Sequence, residues 1–311
     1  MPRVLLIATT TGYQTRAFGE TAERLGVELV FATDRCHRLD DPWRDGAIPV
    51  RFHDEAVFLE AIGEAVRHRP VHGVLAVGDR PAVFAALACE ALGLPGHPPA
   101  AARASGDKLE TRRRFAAAGL PGPAFCEVML DSALDAVRPG FEFPCVVKPL
   151  ALSGSRGVIR ADDPETLHAA LERVQRLLSR PDIRARRDPS DDRVVLEAFI
   201  PGREYALEGV VEDGTLRVLA VFDKPNPLDG PFFEESIYVT PSAQSAAEQR
   251  RMEQAVADAV GALGLRHGPV HAECRVNEVG VFVLEVAARP IGGLCSQVLR
   301  FQGPGDVVLP L

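Results

Sequence analysis

The tightest constraint on this chain is a change of pattern near residue 100. Before it, short apolar runs alternate with segments of helical period; after it, strands dominate. Val4–Ala8 is an apolar run of strand length, and the turn-like Thr10–Gly12 leads from it into a helical pattern at about Gln14–Leu25. Val27–Ala32 and Gly73–Val77 repeat the strand signal, with helices expected at Glu55–Arg67 and Pro81–Leu92, the latter ending at Gly93. Such alternation dictates parallel strands joined by right-handed helical crossovers. From about Ala100, helices at Lys108–Ala118, Pro164–Leu178 and Ala246–Leu263 interrupt a series of strands. Those strands are expected at Ala124–Val128, Pro144–Lys148, Arg193–Phe199, Glu204–Glu212, Leu216–Phe222, Val270–Val276 and Val281–Ala287. The expected fold class is an α/β parallel-sheet unit, Rossmann-like, over 1–99, followed by an α+β unit over 100–311 with antiparallel sheet. The second unit divides into subdomains of about 100–188 and 189–311.

At 311 residues and 46% hydrophobic, the chain can bury two cores. Its 43 acidic residues against 35 basic ones, a net charge of −8, argue against a nucleic-acid or membrane-surface partner, since both are anionic. A small anion met by local positive charge stays compatible. Arg112–Arg114 and Arg184–Arg187 read as solvated faces. The six cysteines show no C-x-x-C spacing and sit among apolar neighbours, which fits a reduced chain. Gly268 and Pro269 between His267 and His271 exclude a helical metal pair. The N-terminus lacks a signal-peptide pattern and no apolar stretch reaches membrane-spanning length. A soluble cytoplasmic protein is expected.

The last hairpin carries the first chemical signal. Ala272, Cys274 and Val276 alternate with His271, Glu273 and Arg275. After the turn Asn277–Gly280, Phe282, Leu284, Val286 and Ala288 take one face, and Val283, Glu285, Ala287 and Arg289 the other. A one-residue slip would flip every side chain, so the apolar faces set the register. A three-residue loop centred on Val279 satisfies it and places Glu273 opposite Glu285. Two carboxylates about 4.5–5.5 Å apart at Cβ repel unless compensated. A shared divalent cation compensates them economically, because Mg²⁺ prefers carboxylate oxygens; a bridging Arg289 or open solvent are the other ways.

Two further features stand upstream. Ser153-Gly154-Ser155-Arg156-Gly157 follows the strand that ends in Lys148. Glycines let backbone amides approach a phosphate, short hydroxyls add donors, and an ammonium beside them supplies charge. A plain turn and a strand-end lysine in solvent are the alternatives. Glu197-Ala198-Phe199-Ile200, followed by Pro201-Gly202-Arg203-Glu204, ends an apolar strand at a turn. Apolar walls next to backbone groups suit a purine, and Glu204 is placed to accept from ribose hydroxyls. An ordinary hairpin would have the same sequence.

Taken together, these residues resemble the ATP-grasp superfamily, in its carboxylate–amine ligase branch, from about Val4 to the C-terminus. The resemblance rests on separated motifs in one order. These are Asp107-Lys108 with Arg112, Ala118-Gly119-Leu120-Pro121, Phe143–Pro149, the Ser/Gly loop, Glu197 with Gly202-Arg203-Glu204, Glu273, and Glu285 with Arg289. It implies ATP and Mg²⁺ (or Mn²⁺) as cofactors. Lys108 and Lys148 would contact the phosphates, and Ser153, Gly154, Ser155 and Gly157 would close over them as a lid. Glu197 with the backbone of Ala198, Phe199 and Ile200 would receive adenine, and Glu204 the ribose. Glu273 and Glu285 would hold the metal, and Arg289 would steady the carboxylate and the developing acyl phosphate. Val4–Pro95 is similar to the pre-ATP-grasp nucleotide-fold domain of such enzymes. Its loop Thr9–Arg16 lies at a strand C-terminus, where α/β sheets bind ligands.

The implied activity is ATP-dependent ligation. A small carboxylate, an amino acid among the candidates, is activated as an acyl phosphate and attacked by an amine, with release of ADP and phosphate. The partners are small-molecule acid and amine, with a homodimer as the assembly considered. A carboxylase-like enzyme acting on bicarbonate and an inactive ATP-binding module are the alternative readings. Three departures stand out. Ala287 occupies a position where many such ligases place Asn, which puts a second magnesium in question. The Pro-rich stretch Asp223–Glu235 is either a solvated connector or a substrate cover that brings Lys224 to the γ-phosphate or carboxylate. A helix is expected at Gly293–Phe301, and related ligases continue with more sheet and helix beyond Leu311.

Overall fold

The computed structural model describes residues 1–9, 13–34, 47–131, 142–292, 294–302 and 308–310. The N-terminal unit is built from β1 (Arg3–Ala8), α1 (Tyr13–Arg24), β2 (Glu28–Thr33), β3 (Ile48–Pro49), α2 (Glu55–Val66), β4 (Gly73–Val77) and α3 (Asp79–Leu92). Its sheet runs β3-β2-β1-β4, all parallel. Leu5, Leu6, Ile7 and Ala8 are completely buried because both faces are covered. Leu5 and Ile7 pack with Phe58, Ile62 and Phe84, and Leu6 and Ala8 with Phe31 and Phe18. That explains the uninterrupted apolar run in β1. Residues 10–12 of the expected ligand loop, and Cys36, lie outside the described residues.

Next come α4 (Pro99–Ser105), α5 (Lys108–Ala117), β5 (Phe125–Met129), β6 (Cys145–Pro149), β7 (Ile159–Ala161), α6 (Pro164–Leu178), α7 (Pro181–Arg184) and β8 (Arg193–Ala198). Asp107 caps α5 by accepting from the amides of Leu109 and Glu110, and Asp163 with Thr166 forms a capping box on α6. The strands form an antiparallel sheet, β5-β8-β6-β7. Cys145, Val147, Val194 and Leu196 pack under Leu167, Leu171 and Val174 of α6. By the two-residue period, Val146, Lys148 and Glu197 point the other way, into a cleft.

The last sheet, β10-β9-β11-β12, contains β9 (Arg203–Glu212), β10 (Thr215–Lys224), β11 (Gly268–Val276) and β12 (Val281–Ala287), with α8 (Ala246–Leu263) inserted. Tyr205, Leu207, Val221, Val270, Ala272 and Cys274 pack against Met252, Val256 and Val260 of α8. The same cluster takes in Ala82 and Ala86 of α3 and Ala101, Ala102 and Ala104 of α4. The two units therefore share apolar packing, and the change of pattern near residue 99 is not a gap in the core. The opposite face carries Glu204, Glu208, Lys224, His271, Glu273 and Arg275.

The expected helix at Gly293–Phe301 is corrected. A single turn, α9 (Cys295–Val298), ends where Leu299 turns extended, and β13 (Arg300–Gln302) then pairs with β14 (Val308–Pro310). Among the described residues no helix is long and apolar enough to cross a membrane.

Candidate active site

The facing acids are where the hairpin alternation placed them, by a different route. Glu273 is the register partner of Glu285, but Val276 pairs with Val281, so the turn is tighter than a loop centred on Val279. A bulge between Glu273 and Cys274 restores the offset. In consequence Val283 is in the core instead of beside Glu285, while both Leu284 and Glu285 line the cleft. Bulges re-aim side chains in this way.

Arg112 stabilises the bulge. Its Nη1 and Nη2 donate to the carbonyls of Val283 (2.8 Å) and Leu284 (2.7 Å), and its Nε donates to Glu197 at 2.8 Å. The expectation that Arg112–Arg114 is a solvated face fails at Arg112, which is 2% exposed. A guanidinium has five donors, enough to satisfy an acid and two stranded carbonyls together.

Lys148 donates to the other oxygen of Glu197 at 2.6 Å. Burial disfavours ionised Glu197, but Arg112 and Lys148 outweigh it and hold the carboxyl at about 2. Lys148 is itself pushed down by burial and by Arg112 and Lys108, with Glu197 opposing. The amide of Ala198 donates to Ala124 O (2.8 Å) and that of Phe199 to Pro144 O (2.9 Å). Each amide has one hydrogen, so neither has a donor left for a bound base; the expectation for this stretch is corrected there. Phe199 instead contributes an apolar wall, with the guanidinium carbons of Arg160 and Arg275 at 4.4 and 5.0 Å from its ring centroid.

Lys108 Nζ donates to Leu152 O at 2.7 Å and lies 3.7 Å from Glu285. It thereby ties the base of the Ser/Gly loop to the second acid. Gly154, Ser155 and Gly157 in that loop all have positive φ. A Cβ on Gly157 would stand 2.8 Å from Leu177 and from Pro149, so glycine is required there.

Lys224 ends β10 and is 5% exposed, so its placement in a covering loop is corrected. Its ammonium donates to Glu204 (2.8 Å), Glu235 (2.6 Å) and Glu273 (2.8 Å). Burial works to lower its pKa, and the three acids raise it far above the ordinary lysine value. The following stretch does lie against the cleft: Arg160 N donates to Pro231 O, and Phe232–Glu235 line the cavity. The second oxygen of Glu204 accepts from Arg275 at 2.9 Å. His271 is bonded to Glu208 and approaches Glu273 at 3.4 Å. Burial works against its charged form, and Glu208 and Glu273 outweigh that and raise it to about 9. Arg289 donates from Nε to Asp79, at the start of α3.

Of the residues expected in the site, all but Lys224 border one cleft of about 1930 Å³; Lys224 reaches it only through the acids it holds, Glu204, Glu235 and Glu273. Asp79, Glu208, Tyr238 and Arg275 also line or support it and were not anticipated, while Glu235 belongs to the stretch offered as a substrate cover. The alternation of β9 and β11 could have found Glu208 and Arg275; nothing local marks Asp79.

An α/β unit followed by two antiparallel sheets facing each other across paired acids and lysines is the ATP-grasp arrangement. The chain belongs to the ATP-grasp family: residues 141–298 match an ATP-grasp domain and residues 19–96 an ATP-grasp N-terminal domain. The likeness extends to its carboxylate–amine ligase branch. The structure of an L-amino acid ligase from Bacillus licheniformis is similar at 29% identity and a TM-score of 0.75, covering 94% of this chain and 68% of that one. D-alanine–D-alanine ligase B of Chromobacterium violaceum is 29% identical over 68% of this chain and 66% of its own. Alanine–anticapsin ligase of Bacillus subtilis is 28% identical over 75% of this chain and 52% of its own. The chain spans between 28% and 66% of the length of the first curated relatives it matches.

Proposed function

We propose that the protein is an ADP-forming carboxylate–amine ligase that uses ATP and Mg²⁺ (or Mn²⁺) to activate a small carboxylate, an amino acid among the candidates. The observation that supports this most is the pairing of Glu273 with Glu285 across β11 and β12, with Lys108 and Lys148 in the same cleft. The donor set suits a hard cation, because carboxylate oxygens are its preferred ligands. The ammonium of Lys224, held by Glu204, Glu235 and Glu273, supports the reading of this cluster as one compensated by positive charge. Glu273 and Glu285 would hold the metal, which when bound neutralises phosphate charge. Ala287 provides no oxygen for a second ion.

Phosphoryl transfer depends on positioning and charge more than on covalent help from the protein. Lys108 and Lys148 offer two ammoniums at one end of the cleft, and Glu197 with Arg112 keeps Lys148 in place beneath it. Phe199, Phe232 and Phe233 give the walls that exclude water from a hydrolysable acyl phosphate. Arg289 would meet the anionic substrate. Glu204 keeps acceptor lone pairs for a hydroxyl although both of its oxygens already have cations.

The test is phosphate and ADP release measured over a matrix of amino acids as acids and amines. Release that needs both components supports the ligase. Release driven by bicarbonate alone, or tight ATP binding with no transfer across the matrix, would sink it.

A further inference from the structure

We propose that Asp79, in the N-terminal unit, is the positioning residue for Arg289. The inference rests on the ligase reading for its chemistry and on the geometry alone for the anchorage. Asp79 leaves the C-terminal end of β4 through Gly78, whose φ of +102° is open only to glycine, and opens α3 above the cleft. An acid in the first turn of a helix has an ordinary role, since it meets the positive end of the macrodipole. Asp79 does more than this. It accepts from Arg289 Nε at 2.5 Å across 210 residues of chain, and both side chains are largely removed from solvent.

A second contact from the same unit acts on the same segment. Gln14 Nε2 donates to Ile291 O at 2.8 Å, two residues beyond the arginine, while the amide of Ile291 donates to Glu208. The exit of β12 is therefore fixed from the N-terminal unit at Asp79 and Gln14 and from β9 at Glu208. Arg289 Nη1 is taken by Pro290 O. Among the described residues Nη2 has no partner, and it is the donor left for an anion in the cleft. Burial would raise the pKa of Asp79, but Arg289, Lys108 and the Ser153 hydroxyl together hold it below the ordinary value. One carboxylate of the N-terminal unit thus holds the arginine through its Nε. An arginine tethered through one edge has a fixed direction for the other, which is the preorganisation that charge stabilisation needs.

The experiment compares Asp79→Asn, which removes the charge at constant shape, with Asp79→Glu, which keeps it. Amide exchange over residues 286–292 needs no turnover. It is expected to quicken about 10-fold or more in Asp79→Asn and to return toward wild type in Asp79→Glu. Unchanged exchange in Asp79→Asn overturns the anchorage. In turnover, kcat for ADP release falls about 10- to 100-fold in Asp79→Asn, while the ATP dissociation constant moves less than about 3-fold. In an Arg289→Lys background the same substitution adds less than about 3-fold, because its effect passes through Arg289. Additive losses in that cycle, or an unchanged kcat, overturn the positioning role. Should the wild type turn over no acid–amine pair, the ligase reading alone fails, and the exchange result still decides the anchorage.

Discussion

Arg112 and Glu197 meet in a paired bond beneath the cleft, Nε to Oε1 at 2.8 Å and Nη2 to Oε2 at 3.3 Å, with both side chains almost wholly buried. The bond connects α5 to β8, and the remaining donors of the guanidinium connect both to the bulge in β12. One side chain therefore sets the distance between the sheet carrying Lys148 and the strand carrying Glu285.

Removing Arg112 leaves the buried Glu197 with Lys148 alone and takes the donors from two carbonyls of the bulge. Arg112→Met is expected to destabilise the protein by about 3–5 kcal/mol. Arg112→Lys recovers less than half of that, because an ammonium cannot serve an acid and two carbonyls in a plane. Urea unfolding midpoints at pH 7 give both values, and a loss below about 1 kcal/mol in Arg112→Met would contradict the role.

The same pair sets an acid limit. The carboxyl of Glu197 is held at about 2 against an ordinary value of 4.5. A depressed folded-state pKa gives stability that is complete above the unfolded value and disappears as pH falls through the folded one. The window is thus pH 4.5 to about 2, and the amount is on the order of 3 kcal/mol. In Glu197→Gln this part of the pH dependence is absent, as denaturant titrations between pH 2 and 5 would show.

Lys224 is the counter-charge of three acids. Lys224→Met leaves Glu204, Glu235 and Glu273 facing one another, with an expected loss of about 3–5 kcal/mol at pH 8. The acids then bind protons more readily than in the wild type, so the variant's deficit narrows as pH falls from 8 to 5. Thermal denaturation of the two proteins across that range measures the gap; a constant gap would refute the account.

Gly202 has φ of +129°, and a Cβ there would lie 2.4 Å from the carbonyl oxygen of Val276. Backbone crowds backbone, so neither atom can move cheaply. Gly202→Ala should cost about 2–4 kcal/mol. Gly154 has a positive φ but open space around its Cβ position, so Gly154→Ala should cost only about 1 kcal/mol. Melting temperatures of the two variants check the order.

Glu285 has one cation near it, Lys108 at 3.7 Å, and no further ion pair among the described residues. On the proposed function, Glu285→Gln raises the Mg²⁺ concentration for half-maximal ATP binding about 10-fold or more, while the unfolding midpoint moves by less than about 1 kcal/mol. Calorimetric titration of nucleotide at several Mg²⁺ concentrations reads the first, and an unshifted requirement argues against the metal role.

Sequence alone determined the strand–helix alternation of the first unit and the antiparallel character of the second, which follow from periods of 3.6 and 2. It also set Glu273 opposite Glu285, but through a three-residue loop; the tighter turn and the bulge that bring the two acids together belong to the tertiary structure. Tertiary structure alone decided which charges are neutralised. Arg112 finds Glu197 85 residues away, Lys224 finds Glu273 at 49, and Arg289 finds Asp79 at 210. Ion pairing is set by proximity in space and by shielding from water, and neither leaves a periodic trace in the chain. For that reason Arg112 reads as one of three solvated arginines, and Asp79 carries no signal of its own, until the sheets come together.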